Sequence, residues 1–258
     1  MTAVFVHGVP ETEEIWRELR DHLDVDSVAL TLPGFGGSPA PEHTDKEAYA
    51  DWLAAELARM PGPVDLVGHD WGALLTYRVA TAHDVPLRSW AADCAGLLRP
   101  DYVWHDVARI WQTPGEGEVL NERLRAAATD DPTSVAGRLR GLGVPARQAL
   151  AMQKAFDAPM GEAILRLYRS AVPNPYAHWG KEFERPTAAP GLVLSPAGDP
   201  FDDAAAARAV AARLGARVAT LPDAGHFWML EDPAGAARVL SEFWSASGPV
   251  RSSSAGPR

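Results

Sequence analysis

The sequence predicts an α/β protein in which a mostly parallel sheet is covered by helices. Short apolar strands alternate with helix-length segments at both ends of the chain, and a long middle region contains helical pieces but no clear strand. The 258 residues suffice for one large domain or two small ones, and the 47% hydrophobic content is enough for a sizeable core. We therefore expect one core of strands and helices, interrupted by a helical insertion.

Four strands are predicted in the first part of the chain. Each is a short apolar run, and Gly or Pro punctuates the ends of the first three, as at Pro33-Gly34. The segment Lys46–Met60 places Tyr49, Leu53 and Leu57 on one helical face. The predicted elements are strands Ala3–Val6, Ser27–Leu32, Val64–Val67 and Ser89–Asp93, and helices Glu13–His22, Lys46–Met60 and Gly72–His83.

Strand character returns after the middle region. Asp202 is a suitable N-cap for the helix that follows it, Gly215 can end that helix, and Pro233 fits the first turn of the last helix. The tail is small and polar, which predicts disorder. The elements are strands Gly191–Ser195 and Ala216–Leu221 and helices Ala204–Leu214 and Pro233–Trp244; the predicted units are a core at 1–99 and 186–247, a helical cap at 100–185 and a disordered tail at 248–258.

Composition excludes several classes of function. The net charge is −10 and no basic stripe is present, so we expect no nucleic-acid partner. The single cysteine cannot form an internal disulfide, the N-terminus lacks the features of a signal peptide, and no apolar run could span a bilayer. The scattered His, Asp and Glu residues show no metal-ligand spacing. We expect a cytoplasmic monomer or homodimer without metal, cofactor or membrane partner.

The stretch "VGHDWGALL" carries the chemical signal. Asp70 stands at the centre of a G-x-D-x-G pattern between an apolar strand and an apolar helix, where many hydrolases have the Ser of G-x-S-x-G. A carboxylate is ionised at neutral pH and needs no base to attack. It suits attack on a saturated carbon with a strained or good leaving group, which gives an ester to the enzyme. We predict Asp70 as a nucleophile.

Hydrolysis of such an ester requires a base, an acid that orients the base, and donors for the oxyanion. His226 follows the last strand in "DAGHF", and Asp199 follows the preceding strand in "AGDPF"; the order nucleophile, acid, His is one that hydrolases use. Asp93, at the end of an earlier strand, is an alternative acid. The backbone N–H groups of Val9 and Trp71 are the candidate oxyanion donors.

The motifs "FVHGVPET", "LPGFGGS", "VGHDWGA", "AGDPF" and "DAGHF" together resemble the α/β-hydrolase-fold epoxide hydrolases and haloalkane dehalogenases. The resemblance implies an α/β-hydrolase fold with a helical cap. It implies about six strands, since the first strand here runs directly into the HGxP loop and relatives begin with an extra strand pair. It also implies an alkyl-enzyme ester on Asp70 that His226 and Asp199 hydrolyse.

The cap favours the epoxide hydrolases. "WQTPGEGE" is similar to the F-Q-x-P-G-E-x-E stretch of their caps, and "LRLYRSA" is similar to the segment that carries one ring-opening tyrosine, which implies Tyr168 as a proton donor. The second tyrosine of these enzymes lies about five residues before Gln112, where Val107 stands here. The substitutes considered nearby in sequence are Tyr102, Trp104, His105 and Tyr176.

The predicted function is therefore cofactor-independent hydrolysis of a small apolar epoxide to a vicinal diol. Two alternatives stay open: haloalkane dehalogenation by the same nucleophile, and a non-catalytic member of the fold that binds a small ligand. Val9 replaces the Asn expected at the x of HGxP for halide binding, which disfavours the dehalogenase. The residues expected around the substrate are His7, Trp71, Trp104, Trp111, Tyr176 and Phe227.

Overall fold

A computed structural model describes residues 2–41 and 43–247, so the tail predicted at 248–258 lies outside the described residues. The six-stranded sheet has the order β2-β1-β3-β4-β5-β6, and each neighbouring pair is parallel. This confirms the predicted sheet of about six strands. The strands are β1 (Thr2–Val6), β2 (Asp26–Leu30), β3 (Val64–Gly68), β4 (Leu87–Ala92), β5 (Gly191–Pro196) and β6 (Arg217–Leu221).

Helices account for most of the remaining structure. They are α1 (Arg17–Arg20), α2 (Lys46–Ala58), α3 (Trp71–Ala82), α4 (Asp106–Gln112), α5 (Glu116–Ala126), α6 (Val135–Gly141), α7 (Ala146–Ala155), α8 (Ala158–Arg169), α9 (Tyr176–Trp179), α10 (Ala204–Leu214), α11 (Trp228–Glu231) and α12 (Pro233–Ser247). The helix predicted over 13–22 is instead a 3-10 turn, Glu13–Trp16, followed by α1. None of the helices in the described ranges has the length and hydrophobicity needed to cross a bilayer.

The hydrophobic core surrounds the inner strands. β3 and β5 are buried along their whole length and β1 along all but its first residue, whereas the edge strand β2 is mostly half-buried and the edge strand β6 is mostly exposed. A parallel sheet with helices on both faces buries its inner strands in this way, which explains their unbroken apolar runs.

The strand order reverses between β1 and β3, because the chain passes from β1 outward to β2 and then returns to the other side of β1. Ligand sites of open parallel sheets lie at such reversals, beyond the carboxyl ends of the strands. The predicted site residues follow the carboxyl ends of five strands, and the sheet therefore brings them to one edge: Val9, Asp70, Asp93, Asp199 and His226.

The helices α4–α9 lie between β4 and β5, and no strand occurs among the described residues of this segment. Two side-chain hydrogen bonds tie α4, α5 and α8 together. The Trp111 indole N–H donates to Asn121 Oδ1 at 2.8 Å, and Asn121 Nδ2 donates to the Gly161 carbonyl at 2.8 Å. The division of the chain into a core and a cap at residues 100 and 185 stays a prediction.

The predicted cap of α10 was wrong by one residue. Asp203, not Asp202, accepts the hydrogen bond from the Ala206 N–H. Asp202 instead accepts from the Ala95 and Gly96 N–H groups, each at 2.9 Å, and so ties the turn after β4 to the loop after β5. Gly215 ends α10 with a φ of 67°, as predicted.

Candidate active site

Asp70 occupies a sharp corner between β3 and α3. Its φ of 52° and ψ of −117° are rare for a residue with a side chain. The corner requires a glycine two residues later, because a Cβ at position 72 would lie 2.2 Å from the Val6 carbonyl oxygen. Asp70 lines a cavity at this edge of the sheet. The G-x-D-x-G spacing therefore reflects the close packing of α3 against β1.

The loop after β1 holds one oxygen of the Asp70 carboxylate. The Val9 N–H donates to Asp70 Oδ1 at 2.9 Å. A Cβ at position 8 would lie 2.4 Å from the same oxygen, so only glycine permits this approach. The predicted oxyanion donor on this loop is thus already in contact with the carboxylate.

The pKa of Asp70 reflects a crowded charged environment. Burial and the charge of Glu11 raise the pKa to about 6. The charges of His226 and His69 and a hydrogen bond from the Trp71 backbone N–H oppose this rise. A carboxyl group with this pKa is mostly ionised at pH 7, as an attacking group must be.

His226 and Asp199 form a hydrogen-bonded pair at the ends of β6 and β5. His226 Nδ1 lies 2.9 Å from Asp199 Oδ2, and Asp199 Oδ1 accepts from the Phe201 N–H at 2.8 Å. Burial and the like charge of His69 lower the pKa of His226, but the bond to Asp199 and the Asp199 and Asp70 charges together outweigh them. The result is a raised pKa and an imidazole oriented with Nδ1 toward the acid.

Asp93, the alternative acid, has other partners. Its Oδ1 accepts from the Asp70 backbone N–H at 3.0 Å, and its Oδ2 lies 2.5 Å from His69 Nδ1 and 2.6 Å from the Trp228 indole nitrogen. No hydrogen bond joins it to His226 in the described chain. Asp93 therefore anchors the corner that carries Asp70.

Glu11 is a buried site residue that sequence reasoning missed. Its Oε2 accepts from the Gly8 N–H at 2.8 Å, and its Oε1 lies 3.3 Å from His69 Nε2. His69 thus lies between two carboxylates, Glu11 and Asp93. Burial opposes charge on His69, but these carboxylates together raise its pKa well above the usual value, and the pKa values of both acids are lowered. The only sequence signal was an acidic residue directly after the HGxP motif.

The cavity in front of Asp70 has a volume of about 420 Å³. Asp70 and His226 lie on its sheet side, and aromatic and aliphatic side chains of the helical segment form most of the opposite wall. Three predicted pocket residues line it: Trp104, Trp111 and Phe227. Other lining residues are Cys94, Tyr102, His105, Val107, Val135, Leu139 and Tyr168.

Three other predicted pocket residues do not line this cavity. His7 is fully buried, with Nδ1 donating to the Gly8 carbonyl at 2.8 Å and Nε2 accepting from the Leu32 N–H at 3.0 Å, so it supports the loop. Tyr176 lies outside, where its hydroxyl donates to Glu184 at 2.8 Å. Trp71 lies behind the cavity wall and stacks on Trp104, with 5.8 Å between the two ring centroids.

Two tyrosines face the cavity from either side of one tryptophan. The rings of Tyr102 and Tyr168 each lie 5.2 Å from the Trp104 ring, and burial raises the pKa of both phenols. The Asp70 charge raises both pKa values further, and the nearby Trp71 side chain lowers that of Tyr168 by less. Val107 lines the cavity but has no proton to give. Tyr102 therefore occupies the same wall as Tyr168, although it comes from a different segment.

Two clusters in the described chain have ligand atoms within 4.8 Å of one another: Glu11, His69 and His226, and Cys94, Asp199 and His226. In the first, the raised pKa of His69 keeps its ring protonated between two carboxylates, so it has no lone pair for a metal. In the second, burial and then the nearby carboxylates raise the pKa of the Cys94 thiol well above its usual value. Both clusters suit proton chemistry better than metal binding.

This geometry can be compared with known proteins. The sequence profile of the α/β hydrolase family matches residues 3–239. The chain belongs to the α/β hydrolase family. Its six-stranded parallel sheet confirms the predicted α/β-hydrolase fold.

Two proteins are similar in sequence to parts of this α/β hydrolase. Epoxide hydrolase 4 of Mus musculus is 34% identical over 88 residues, which are 31% of this chain and 24% of that protein. A haloalkane dehalogenase of Mesorhizobium japonicum is 29% identical over 134 residues, 46% of this chain and 42% of that protein. The matches span less than half the length of either relative.

The fold is similar to that of solved structures over almost its whole length. The crystal structure of Bacillus megaterium epoxide hydrolase in complex with an inhibitor has a TM-score of 0.74 and 19% identity. The likeness covers 95% of this chain and 93% of that one. At 19% identity, this structural similarity supports a shared fold.

Proposed function

We propose that this α/β hydrolase opens an epoxide to a vicinal diol through an ester on Asp70. One observation carries the proposal: an ionisable carboxylate at a strained corner faces a largely apolar cavity whose far wall carries two phenols. The family membership and the relatives named above support it.

In the first step, the free oxygen of Asp70 attacks an oxirane carbon. The carbon–oxygen bond of the ring breaks, and the departing oxygen takes a proton from Tyr168. A phenol held neutral by burial is a suitable acid for an alkoxide, because its proton is lost only when a strong base develops beside it. The product of this step is an ester between Asp70 and the substrate.

In the second step, His226 removes a proton from water as the water attacks the ester carbonyl. Esterification removes the negative charge of Asp70, which had helped to raise the His226 pKa, so the imidazole is more readily neutral at this stage. The oxyanion forms at the oxygen that Val9 holds, and the Trp71 N–H is the second donor. Loss of one such donor typically costs about 10²–10³ in rate. When the oxyanion intermediate collapses, the bond between the Asp70 carbonyl carbon and the substrate oxygen breaks, and the departing alkoxide takes the proton that His226 had removed from water. The proton of the regenerated Asp70 carboxyl group returns to the Tyr168 phenolate.

Tyr102 is the proposed second acid for ring opening. Among the four substitutes considered from the sequence, it combines a phenol with a place in the cavity wall. The Trp104 indole N–H is committed to the Ala171 carbonyl at 3.2 Å, and Tyr176 lies outside the cavity. His105 remains as a polar neighbour and is considered below.

Haloalkane dehalogenation is a second candidate, favoured by one observation. The Trp71 indole N–H is buried behind the cavity lining, beside the Tyr168 side chain, and no acceptor in the described chain meets hydrogen-bond geometry with it, so a halide that reached it would find an open donor. A halide needs more than one such donor, yet the indole N–H groups of Trp104 and Trp111 already have partners. Halide release and diol formation from matched substrates would separate the two reactions.

The ester is the decisive intermediate. With His226→Gln protein, we expect an epoxide to add its full mass to the peptide that contains Asp70, since attack proceeds and hydrolysis stops. His178→Gln, at an exposed histidine, is the matched control and should turn over without a stable adduct. An unmodified peptide in the His226 variant would favour a non-catalytic ligand-binding protein.

Several finer features belong to this proposal. We propose that the substrate is small and apolar, that hydrolysis needs no cofactor or metal, and that the catalytic set is Asp70, His226, Asp199 and Tyr168. A cytoplasmic location and a monomeric or homodimeric state stay predictions.

A further inference from the structure

His105 is an unusual residue at the start of α4. Its Nδ1 accepts from the Ala108 N–H at 3.3 Å, which makes it the N-cap of the helix. Asn, Asp, Ser and Thr are the residues preferred at this position. Capping alone does not account for an imidazole here.

The N-cap hydrogen bond to Nδ1 fixes the proton of the His105 ring on the other nitrogen, Nε2. Because Nδ1 accepts a hydrogen bond, a neutral His105 must carry its proton on Nε2. Burial and then the charge of His226 lower the pKa of His105 to about 4, so the ring is neutral at pH 7. His105 is therefore a fixed N–H donor and not a base.

The surroundings hold this donor at the cavity. His105 lines the cavity, and its ring centroid lies 4.9 Å from that of Phe201 and 6.5 Å from that of Tyr168. Phe201 in turn lies 5.0 Å from His226. Nε2 has no hydrogen-bond partner among residues 2–41 and 43–247. Its proton is free to bond a ligand.

The cavity wall offers more donors than an epoxide can use. Tyr168 and Tyr102 serve the epoxide oxygen in the proposed reaction, which leaves the His105 N–H without an acceptor. His105 is half-buried, and a ligand that covers its N–H removes the hydrogen bond to water, which is regained only when the ligand brings an oxygen to the N–H. We propose that His105 forms a subsite for a second oxygen of the substrate, so that the preferred substrates are epoxides whose substituent carries an ether, carbonyl or hydroxyl oxygen. This inference rests on the proposed function.

A pair of matched substrates tests the subsite. Propyl glycidyl ether and epoxyheptane have the same shape, and a methylene of the second replaces the ether oxygen of the first. We expect the wild-type protein to favour the ether in kcat/KM by up to about tenfold, the value of one net hydrogen bond. The ratio of the two constants is the readout, because any general damage to the site affects both substrates.

Two substitutions separate the subsite from the helix cap. His105→Asn can still accept from the Ala108 N–H and still has an N–H to donate, whereas His105→Ser keeps the cap but its short side chain cannot reach the ligand. We expect the ether preference to weaken in the Asn variant, whose N–H lies nearer the backbone than Nε2, and to vanish in the Ser variant. Equal ratios in the wild type and the Ser variant would overturn the proposal.

A measurement without turnover keeps this result distinct from the proposed reaction. Nitrogen NMR of the histidines should show His105 protonated at Nε2, and its resonance should shift on addition of the unreactive diol of propyl glycidyl ether but less with heptanediol. Protonation at Nδ1, or equal shifts with both diols, would contradict the subsite. If the shifts differ as expected but no epoxide is hydrolysed, the proposed function fails and the subsite stands.

Discussion

The two sides of the cavity are built from different chemistry. The sheet side holds buried charged groups that follow the carboxyl ends of the strands, each bonded to backbone or to another charge: Glu11, His69, Asp70, Asp93, Asp199 and His226. The opposite side holds neutral aromatic rings in edge-to-face contact, with Tyr102, Trp104 and Tyr168 at its centre.

In the proposed function, the charged sheet side of the cavity carries out the reaction and the aromatic side selects the substrate. Charges withdrawn from water are costly unless they are paired, so the sheet side tolerates little change. Neutral rings can be exchanged at a smaller cost, and in the proposed reaction they select the substrate and donate protons to the leaving oxygen. Variants on the sheet side should therefore lose turnover or stability, and variants on the other side should mainly alter ring opening and substrate preference.

The largest expected effect is that of Asp70→Asn. The amide keeps the size of the carboxylate but is not an anion, so turnover of an epoxide should fall about 10⁴-fold or more. Steady-state kinetics measure the loss, and circular dichroism checks the fold. Asp51→Asn, at an exposed aspartate beside His83, is the control. Retention of more than about one hundredth of the activity would contradict a nucleophilic Asp70.

Glu11→Gln should destabilise the protein by about 3 kcal/mol. The amide oxygen can still accept from Gly8, but the buried His69 cation loses one of its two carboxylates. Urea unfolding measures the change in the free energy of unfolding. Glu14→Gln, which breaks an exposed ion pair with Arg17, should change it by less than about 1 kcal/mol. Equal effects of the two substitutions would show that the buried cluster is not under strong electrostatic constraint.

On the opposite side, Tyr168→Phe and Tyr102→Phe should each slow ester formation about 10²-fold, because each removes a proton donor for the leaving oxygen. Rapid mixing with mass detection separates ester formation from hydrolysis, which should be unaffected. Tyr176→Phe removes an exposed hydroxyl outside the cavity and should match the wild type. An equal loss in both steps would mean that the tyrosines only support the fold of the cavity.

The smallest effect is on pH dependence. Attack needs the ionised form of Asp70, whose pKa is about 6, so kcat/KM should fall about tenfold per unit below that pH. Glu11 raises this pKa, and Glu11→Gln should therefore move the acid limb to lower pH. A pH profile of both proteins measures the shift. If the acid limb of the kcat/KM profile lies at the same pH in both proteins, the Glu11 charge does not act on Asp70.

The sequence predicts the sheet and the placement of the predicted nucleophile, acid and base well, because both depend on local pattern. Gly72 is needed for the sharp corner at Asp70, and Asp199 and His226 follow consecutive strands whose carboxyl ends share an edge. In a parallel sheet, the order of these residues along the chain is therefore enough to bring them to the same edge.

Other features depend on distant packing and could not be predicted. Glu11 looks like a solvated loop residue in sequence, and only the fold shows that it is fully buried against His69. Tyr102 and Tyr176 are equally plausible in sequence, but the turn after β4 directs one into the cavity and α9 directs the other outward. The cap of α10 shifted by one residue because Asp202 has partners far away in the chain.

The contact between the Val9 N–H and Asp70 Oδ1 makes the two carboxylate oxygens unequal. In the proposed reaction the unheld oxygen bonds to the substrate and departs with the diol, while water supplies its replacement. The protein thus exchanges one atom of its own chain with the solvent in every cycle. In water enriched with heavy oxygen, a single turnover would leave the isotope in the aspartate, and only later product molecules would carry it away.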